Sequence, residues 1–455
     1  MTMYSELFGN IVVPIYDIVR GTSRYRCSRI LDKTQYLSFE EIKRLQTTNL
    51  RFLLNHAYET VPYYHRIFRE RQLTPTDIRT VEDLEKLPIL RKSDIRKNFS
   101  ELISRNFDGG RLIPYSTGGT GSPLRFYITK ESMSWDIAAE FRAYSWGGYK
   151  PGDSCFLLWG SRRDLKKNVA RKMSAFIERR VTCDPFVLSD SVLENASRIL
   201  RRISPSVIRG YATPVYVLSK YLIKNGISIS PKVVITSAEL LSSDMRKTIS
   251  EAFQCPVFDF YGSREIGAIA SECEKHTGYH ISSENLVVEF IKDGEIVHSE
   301  EGQILLTNLR NYGMPLIRYQ NGDVGEPSAE SCTCGRELPL MKSIKGRVSQ
   351  YLATRDPNTG KIVPVEASVI MDHFMTLLKT PPETYRIVQE ELNRLVLYFV
   401  RGGSYSEETT VIITRELQNI FGIDTKIEVR FVDVLAPLQS GKRTPVFSTL
   451  NTFEN

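Results

Sequence analysis

The sequence has little that would tie it to a bilayer span or to an oxidising compartment. No apolar run in its 455 residues reaches the roughly 20 residues that a membrane-spanning helix needs. Residues Met1 to Arg20 lack a charged start, a following apolar stretch and a small-residue cleavage site. A cytoplasmic location is therefore expected, with no transmembrane segment. Seven cysteines are few for this length and odd in number, which argues against a disulfide framework. Reduced thiols are expected, and any clustered pair becomes a metal candidate. No block of five or six like charges occurs, so nucleic acid is not expected as a partner. Internal repeats and low-complexity tracts are absent too. The mild net charge of +7 suits an enzyme that handles anions, or a surface that touches anionic lipid.

What is present points to two or more folded domains, because one core rarely extends over this many residues. The first third, to about residue 105, reads mainly helical. Ser38-Phe39-Glu40-Glu41 has the form of a capping box, and Ile42, Leu45, Leu53, Leu54 and Ala57 follow at helical spacing. Val61-Pro62 ends that helix. A further short helix is expected to start at Thr80 or Ser93. From about Arg111, apolar runs alternate with helical stretches. Pro231 to Thr236 and Val257 to Tyr261 read as buried strands, which favours an α/β architecture. A β-rich section follows: Leu286 to Phe290 and Glu295 to His298 flank Lys292-Asp293-Gly294, a hairpin turn, and Gly302 to Asn308 is another strand. The last hundred residues read as a small α+β unit. Leu395 to Val400 and Lys426 to Val432 are its strands, and Ser406 to Phe421 is a helix that Gly422 terminates. The boundary is placed at Gly346-Arg347, giving a large domain over 1–346 and a small one over 347–455.

Four segments carry chemistry. Tyr115-Ser-Thr-Gly-Gly-Thr-Gly-Ser-Pro123 sets glycines among hydroxyls, so that backbone N–H groups and side chains can approach phosphates. It is not a Walker A loop, since no Gly-Lys-Ser/Thr follows. Tyr261-Gly262-Ser263-Arg264-Glu265 follows a strand, where ligands bind in α/β sheets, and Glu265 suits Mg2+. Arg318-Tyr-Gln-Asn-Gly-Asp323 sets a carboxylate beside a tight turn, fit to grip ribose hydroxyls. Gln439-Ser-Gly-Lys442 puts a lysine on a glycine hinge, able to swing into a site and offset developing charge. Taken singly, each is as well explained by a turn, an exposed glutamate or a surface lysine.

Their order is more specific. It resembles the adenylate-forming superfamily of acyl-CoA synthetases, adenylation domains and luciferases. There a Ser/Thr/Gly loop, a Tyr-Gly-x-x-Glu, a Gly-Asp, a Gly-Arg hinge and a late Gly-Lys occur in that order. Ser237-Ala238-Glu239 resembles the adenine-side segment. Thr60-Val-Pro-Tyr-Tyr64 and Leu84-Glu-Lys-Leu-Pro-Ile-Leu-Arg-Lys-Ser-Asp94 resemble the phenylacetate–CoA ligase branch, in particular its CapK-like members. The likeness covers about residues 40 to 445. Departures are Ser122 where the loop usually carries Lys, Arg264 before the motif glutamate, and Val348-Ser349-Gln350 after the hinge.

The resemblance implies an ATP-dependent ligase. It makes an acyl-AMP from a carboxylic acid and then transfers the acyl group, with a mobile small domain. Ser116, Thr117, Gly118, Gly119, Thr120 and Gly121 would hold phosphates, Glu265 Mg2+, and Asp323 with Arg347 the ribose. Lys442 would bridge carboxylate and phosphate. The acceptor implied is CoA; an amine, sugar or carrier is the alternative, and a degenerate nucleotide-binding protein is a reading of another class. A homodimer is compatible with each. Tyr144, Trp146 and Tyr211 are candidates for the acyl pocket. Cys273, His280, Cys332 and Cys334 match a closed structural zinc site of three thiolates and one imidazole, with His276 as the competing ligand.

Overall fold

The computed structural model describes residues 4, 7–107, 112–116, 124–159, 175–183, 188–345, 351–356, 359–366, 384–400, 407–433, 446–448 and 450. Five helices lead: α1 (Val13–Arg20), α2 (Arg24–Thr34), α3 (Phe39–Thr60), α4 (Pro62–Glu70) and α5 (Lys92–Lys97). The Ser38 capping box forms as read: Oγ accepts from Glu41 N, and Ser38 N donates back to Glu41 Oε2 at 2.8 Å. Pro62 stops α3 and opens α4 at its first position, where no N–H is needed. Thr80 precedes a 3-10 turn over Glu82–Lys86 rather than an α-helix.

The strands β1 (Leu112–Ser116) and β2 (Arg125–Thr129) pair, and α6 (Lys130–Trp146) follows. Then come β3 (Cys155–Leu158), β4 (Arg180–Cys183), α7 (Asp190–Ile203), β5 (Val207–Tyr211), α8 (Ala212–Lys224), β6 (Val233–Ser237), α9 (Ser243–Phe253) and β7 (Val257–Ser263). β4, β3, β5, β6 and β7 lie side by side in parallel. β6 is buried at every residue, as a central parallel strand covered on both faces must be. α7, α8 and α9 pack on one face through Leu193, Leu200, Val215, Leu218, Ile249 and Phe253. α2 and α6 cover the other through Leu31, Trp135, Ala139 and Tyr144. This is the α/β layering expected.

Beyond β7 the same sheet turns antiparallel: β8 (Gly267–Glu272), β9 (Tyr279–Ile281), β10 (Leu286–Lys292), β11 (Glu295–Ile296), β12 (Gly302–Asn308), β13 (Tyr319–Ser328) and β14 (Leu340–Lys345). The twelve strands run β11-β10-β12-β13-β14-β9-β8-β7-β6-β5-β3-β4. Asp293 and Gly294 both take positive φ, which closes the expected hairpin as a type I′ turn. α3, α4 and the segment to Leu102 pack on this half through Leu53, Leu54, Phe68 and Leu84.

The C-terminal elements are β15 (Tyr351–Arg355), β16 (Ile362–Glu366), β17 (Thr384–Glu391), β18 (Arg394–Val400), α10 (Glu407–Phe421), β19 (Lys426–Phe431) and β20 (Val446–Ser448). They share a core of their own, with Leu352, Ile387, Leu397, Phe399 and Leu417 at its centre. Gly422 ends α10 with φ +102°. Residues 346–350, where the boundary is expected, lie outside the described residues.

Candidate active site

The parallel strands β5, β6 and β7 end together at Tyr211, Ser237 and Ser263, and the crevice at such strand ends is where open α/β sheets bind ligands. Two of the sequence segments meet at this edge. Tyr261 Oη donates to Asp323 Oδ2 at 2.8 Å. Asn321 Nδ2 reaches both Tyr261 Oη and Asp323 Oδ2 at 2.7 Å, and Asp323 N donates to Asn321 Oδ1 at 3.1 Å. The carboxylate expected to grip ribose thus stands beside the Tyr-Gly-Ser motif, about sixty residues away in sequence. Gly262 is forced by contact, since a Cβ there would meet Gly267 O and Phe260 Cε1, each at 2.9 Å.

Glu265 is buried, and its Oε1 accepts from Tyr319 Oη at 2.9 Å with Lys92 Nζ 3.9 Å away. Lys92 arrives because its segment is stitched to β13: Leu90 N donates to Arg318 O, and Gln320 N to Leu90 O, both at 3.0 Å. Arg318 locks that join. Its side chain pairs with buried Glu289 and donates to the carbonyls of Glu85 and Leu87. The Leu84–Asp94 segment therefore presents a cation to the site, a role that sequence reading missed. Asn321 and Tyr319 were likewise read only as parts of a turn motif.

The segment Ser237-Ala238-Glu239 leaves the end of β6. Ser237 is buried and pairs with Phe260 and Tyr211 across the ladder. Ala238 holds φ +68°, a left-handed conformation costly for a residue with a Cβ. Glu239 Oε2 accepts from Thr213 N at 2.7 Å, so its carboxylate caps the start of α8. Beneath the site, Gly267 (φ +92°) passes over Asp136, and Asp136 Oδ1 accepts from Ala268 N at 2.6 Å. Desolvation, helped by nearby Glu140, raises the Asp136 carboxyl to about 7.

The three aromatic candidates separate. Tyr211 stacks on Trp159 (4.4 Å between ring centroids) at the strand ends, and it also packs against the C-terminal core. Tyr144 is buried between α6 and β5; its hydroxyl bonds Glu140 and Arg209, and the Arg209 guanidinium lies 4.0 Å over its ring. Trp146 instead faces the cysteine cluster, edge-on to His280 at 5.4 Å, with its N–H on Gln35 Oε1. Trp159, which no sequence motif singled out, lies beside Tyr211. Thr117, Gly118, Gly119, Thr120, Gly121, Arg347 and Lys442 lie outside the described residues; Ser116 ends β1.

A second cluster gathers close by. The ligand atoms of Cys273, His280, Cys332 and Cys334 all lie within 4.8 Å of one another. Cys273 Sγ and Cys332 Sγ are 3.6 Å apart, and Cys334 Sγ and His280 Nε2 3.3 Å. A tetrahedral zinc with sulfur at about 2.3 Å sets such edges near ~3.8 Å, so the donor set fits the ion. His280 Nδ1 faces Leu338 O at 3.3 Å, which leaves Nε2 for a metal. Burial holds this imidazole neutral, down to about 4. His276 stands apart, with Nδ1 on Glu272 Oε2 at 3.3 Å. Ile42, Trp146 and Leu338 form the apolar shell around the cluster.

No protein-family model matches the chain. Protein CapK of Staphylococcus aureus is 25% identical over 457 residues, covering 96% of each chain. Phenylacetate-coenzyme A ligase of Escherichia coli is 28% identical over 360 residues, 76% of this chain and 80% of that protein. Among solved structures, 2-hydroxyisobutyryl-CoA ligase in complex with 2-HIB-AMP and CoA shares the fold at a TM-score of 0.58 and 18% identity. That match covers 90% of this chain and 92% of the other.

Proposed function

We propose that the chain is a member of the adenylate-forming superfamily, on its phenylacetate–CoA ligase branch with CapK, and that it activates a carboxylic acid with ATP and passes the acyl group to the thiol of CoA. The observation that carries this reading is the meeting of Tyr261, Asn321 and Asp323 at the ends of the parallel strands, with Glu265 beside them. That arrangement has the parts a nucleotide needs: a carboxylate for hydroxyls, a carboxylate for a hard cation and an aromatic edge.

In the first half-reaction a carboxylate oxygen attacks the α-phosphorus of ATP. The bond to the bridging oxygen breaks, and pyrophosphate leaves with the electron pair. The Ser116–Gly121 segment would hold phosphates, and Glu265 would hold Mg2+, whose charge would offset that of the phosphates. Asp323 and Arg347 hold the ribose. Ser237 to Glu239 borders the adenine, and Lys442 neutralises charge on the transferring oxygens. In the second half-reaction the CoA sulfur attacks the acyl carbon, the carbon–oxygen bond to AMP breaks, and the thiol proton passes to solvent. Residues 1–346 form the adenylation domain and 347–455 the lid that exchanges one half-reaction for the other. Cys273, His280, Cys332 and Cys334 would hold a zinc, and four protein ligands would make its role structural.

The test is acid-dependent ATP–pyrophosphate exchange across a panel of aryl and aliphatic carboxylates. Exchange is expected with at least one acid, and Lys442→Ala is expected to lower it by about 100-fold or more. Tight ATP binding without exchange for any acid would leave a nucleotide-binding protein. Exchange followed by release that needs an amine or sugar, and not CoA, would replace only the acceptor half.

A further inference from the structure

The helix α1 carries its apolar side outward. The residues it turns to the body are Val13 and Asp17. Asp17 is held there by polar contacts: Oδ1 accepts from Thr22 Oγ1 at 2.6 Å and Arg24 Nε at 3.1 Å, and Oδ2 accepts from Tyr25 N at 2.7 Å. The Arg24 guanidinium lies 4.0 Å over the Tyr16 ring. One turn upstream, Phe8 presses on Gly152, where a Cβ would stand 2.7 Å from it. The helix is therefore clamped in one rotation. On its opposite side Ile15, Ile18 and Val19 fall at i, i+3 and i+4, a single helical face, and Ile11 lies just upstream in the π-helical turn Phe8–Val12. Ile11, Ile15, Ile18 and Val19 are 49%, 56%, 82% and 76% exposed. A surface helix ordinarily buries such a face, whereas here a carboxylate anchors the other one. Four large aliphatic side chains exposed together mark an interaction surface, unlike apolar residues scattered singly.

Charge indicates the partner. Arg20 in the last turn of α1 is exposed, as are Arg29 and Lys33 on α2. Tyr4 donates to Ile177 O at 2.6 Å, and Arg179 lies over its ring, which joins this region to a stretch where Phe176 is also exposed. Arg179 is exposed as well. An aliphatic face accompanied by the exposed Arg20, Arg29, Lys33 and Arg179 is complementary to a bilayer rich in anionic phospholipid: the apolar side chains enter the boundary between headgroups and acyl chains, and the cations meet the phosphates. A second copy of this chain fits less well, because a twofold contact through α1 would bring the same cations face to face.

We propose that α1 is an interfacial helix that docks the protein on the surface of an anionic membrane, lying in the interface without crossing it. The test is flotation of the full chain with vesicles of phosphatidylcholine alone or with about one third phosphatidylglycerol. Binding is expected to the anionic vesicles and to weaken in high salt. Ile18→Asp/Val19→Asp is expected to lower the bound fraction by about tenfold or more. Both side chains face solvent, so ATP–pyrophosphate exchange and Tm should be unchanged, and the docking result stands apart from the proposed activity. Equal binding of the variant, or no binding of the parent chain at low salt, overturns the proposal. So does a dimer of the parent chain that becomes monomeric in the variant without any vesicle binding, which would assign the face to a second copy.

Discussion

Two clusters join the same two stretches of chain, and they do so with opposite chemistry. Near the strand ends, Tyr261 and Glu265 meet Tyr319, Asn321 and Asp323 through hydrogen bonds between neutral and anionic oxygens and amides. A few residues later, Cys273 and His280 meet Cys332 and Cys334 through soft ligand atoms gathered within 4.8 Å. The first cluster can exchange its partners for other hydroxyls, since each bond to a carboxylate nets only about 1.5–3 kcal/mol and an incoming donor replaces the one lost. The second, once metallated, has no such freedom. β8, β9, β14 and β13 lie side by side between the two, so a metal bound at one end would help hold the strand register at the other. The pairing suggests a division of labour between holding and exchanging.

That contrast can be broken in four ways. The largest effect is expected from Cys332→Ser/Cys334→Ser, or from a strong chelator: zinc content falls from one per chain to none, and Tm drops by on the order of 10 °C. Full thermal stability in a metal-free double variant would remove the clip. Next, Asp323→Ala is expected to lower the kcat/KM of exchange for ATP by about 100-fold while Tm and zinc content hold. A loss of zinc together with activity would mean that the two clusters are not separable.

Asp136 sits under the backbone that links them, and its effect is a pH dependence. Its folded pKa, about 7, stands above its unfolded value, so its contribution is present below about pH 4 and is lost as pH rises through 7. Asp136→Asn should remove a fall in unfolding free energy of on the order of 2 kcal/mol between pH 5.5 and 8.5. Parallel pH profiles for variant and parent would contradict the raised carboxyl. The smallest effect is expected from His276→Ala, which should leave one zinc per chain, because that imidazole engages Glu272 and not the cluster. Loss of metal there would reassign the fourth ligand.

Much of the fold was legible because its signals are local. The Ser38 cap, the Val61-Pro62 break, the Asp293-Gly294 turn and Gly422 each fix backbone angles within a few residues, and each appears where expected. The motif residues were legible as types, yet their partners were not. Nothing near Lys92 in the sequence announces Glu265, and Trp146 has the same composition cue as Tyr211 although it packs on His280 instead. Glu239 reads as a ligand-side carboxylate, whereas in the fold it also caps α8. Its signal was masked because an acidic residue after a strand suits either role.

From the sequence alone came the kinds of chemistry available: two carboxylates near turns, a glycine and hydroxyl loop, a late lysine and three thiols with an imidazole, in an order shared with adenylate-forming enzymes. Such choices are made by side-chain type and by backbone preference over short range. Only the tertiary structure decided which of them meet: Tyr261 with Asp323, Glu265 with Tyr319, and His280 in place of His276. It also decided that α1 turns its aliphatic face outward, since Asp17 finds its partners on α2 and at the turn before it. Contacts across tens of residues depend on how the sheet is ordered, and no local pattern encodes that order.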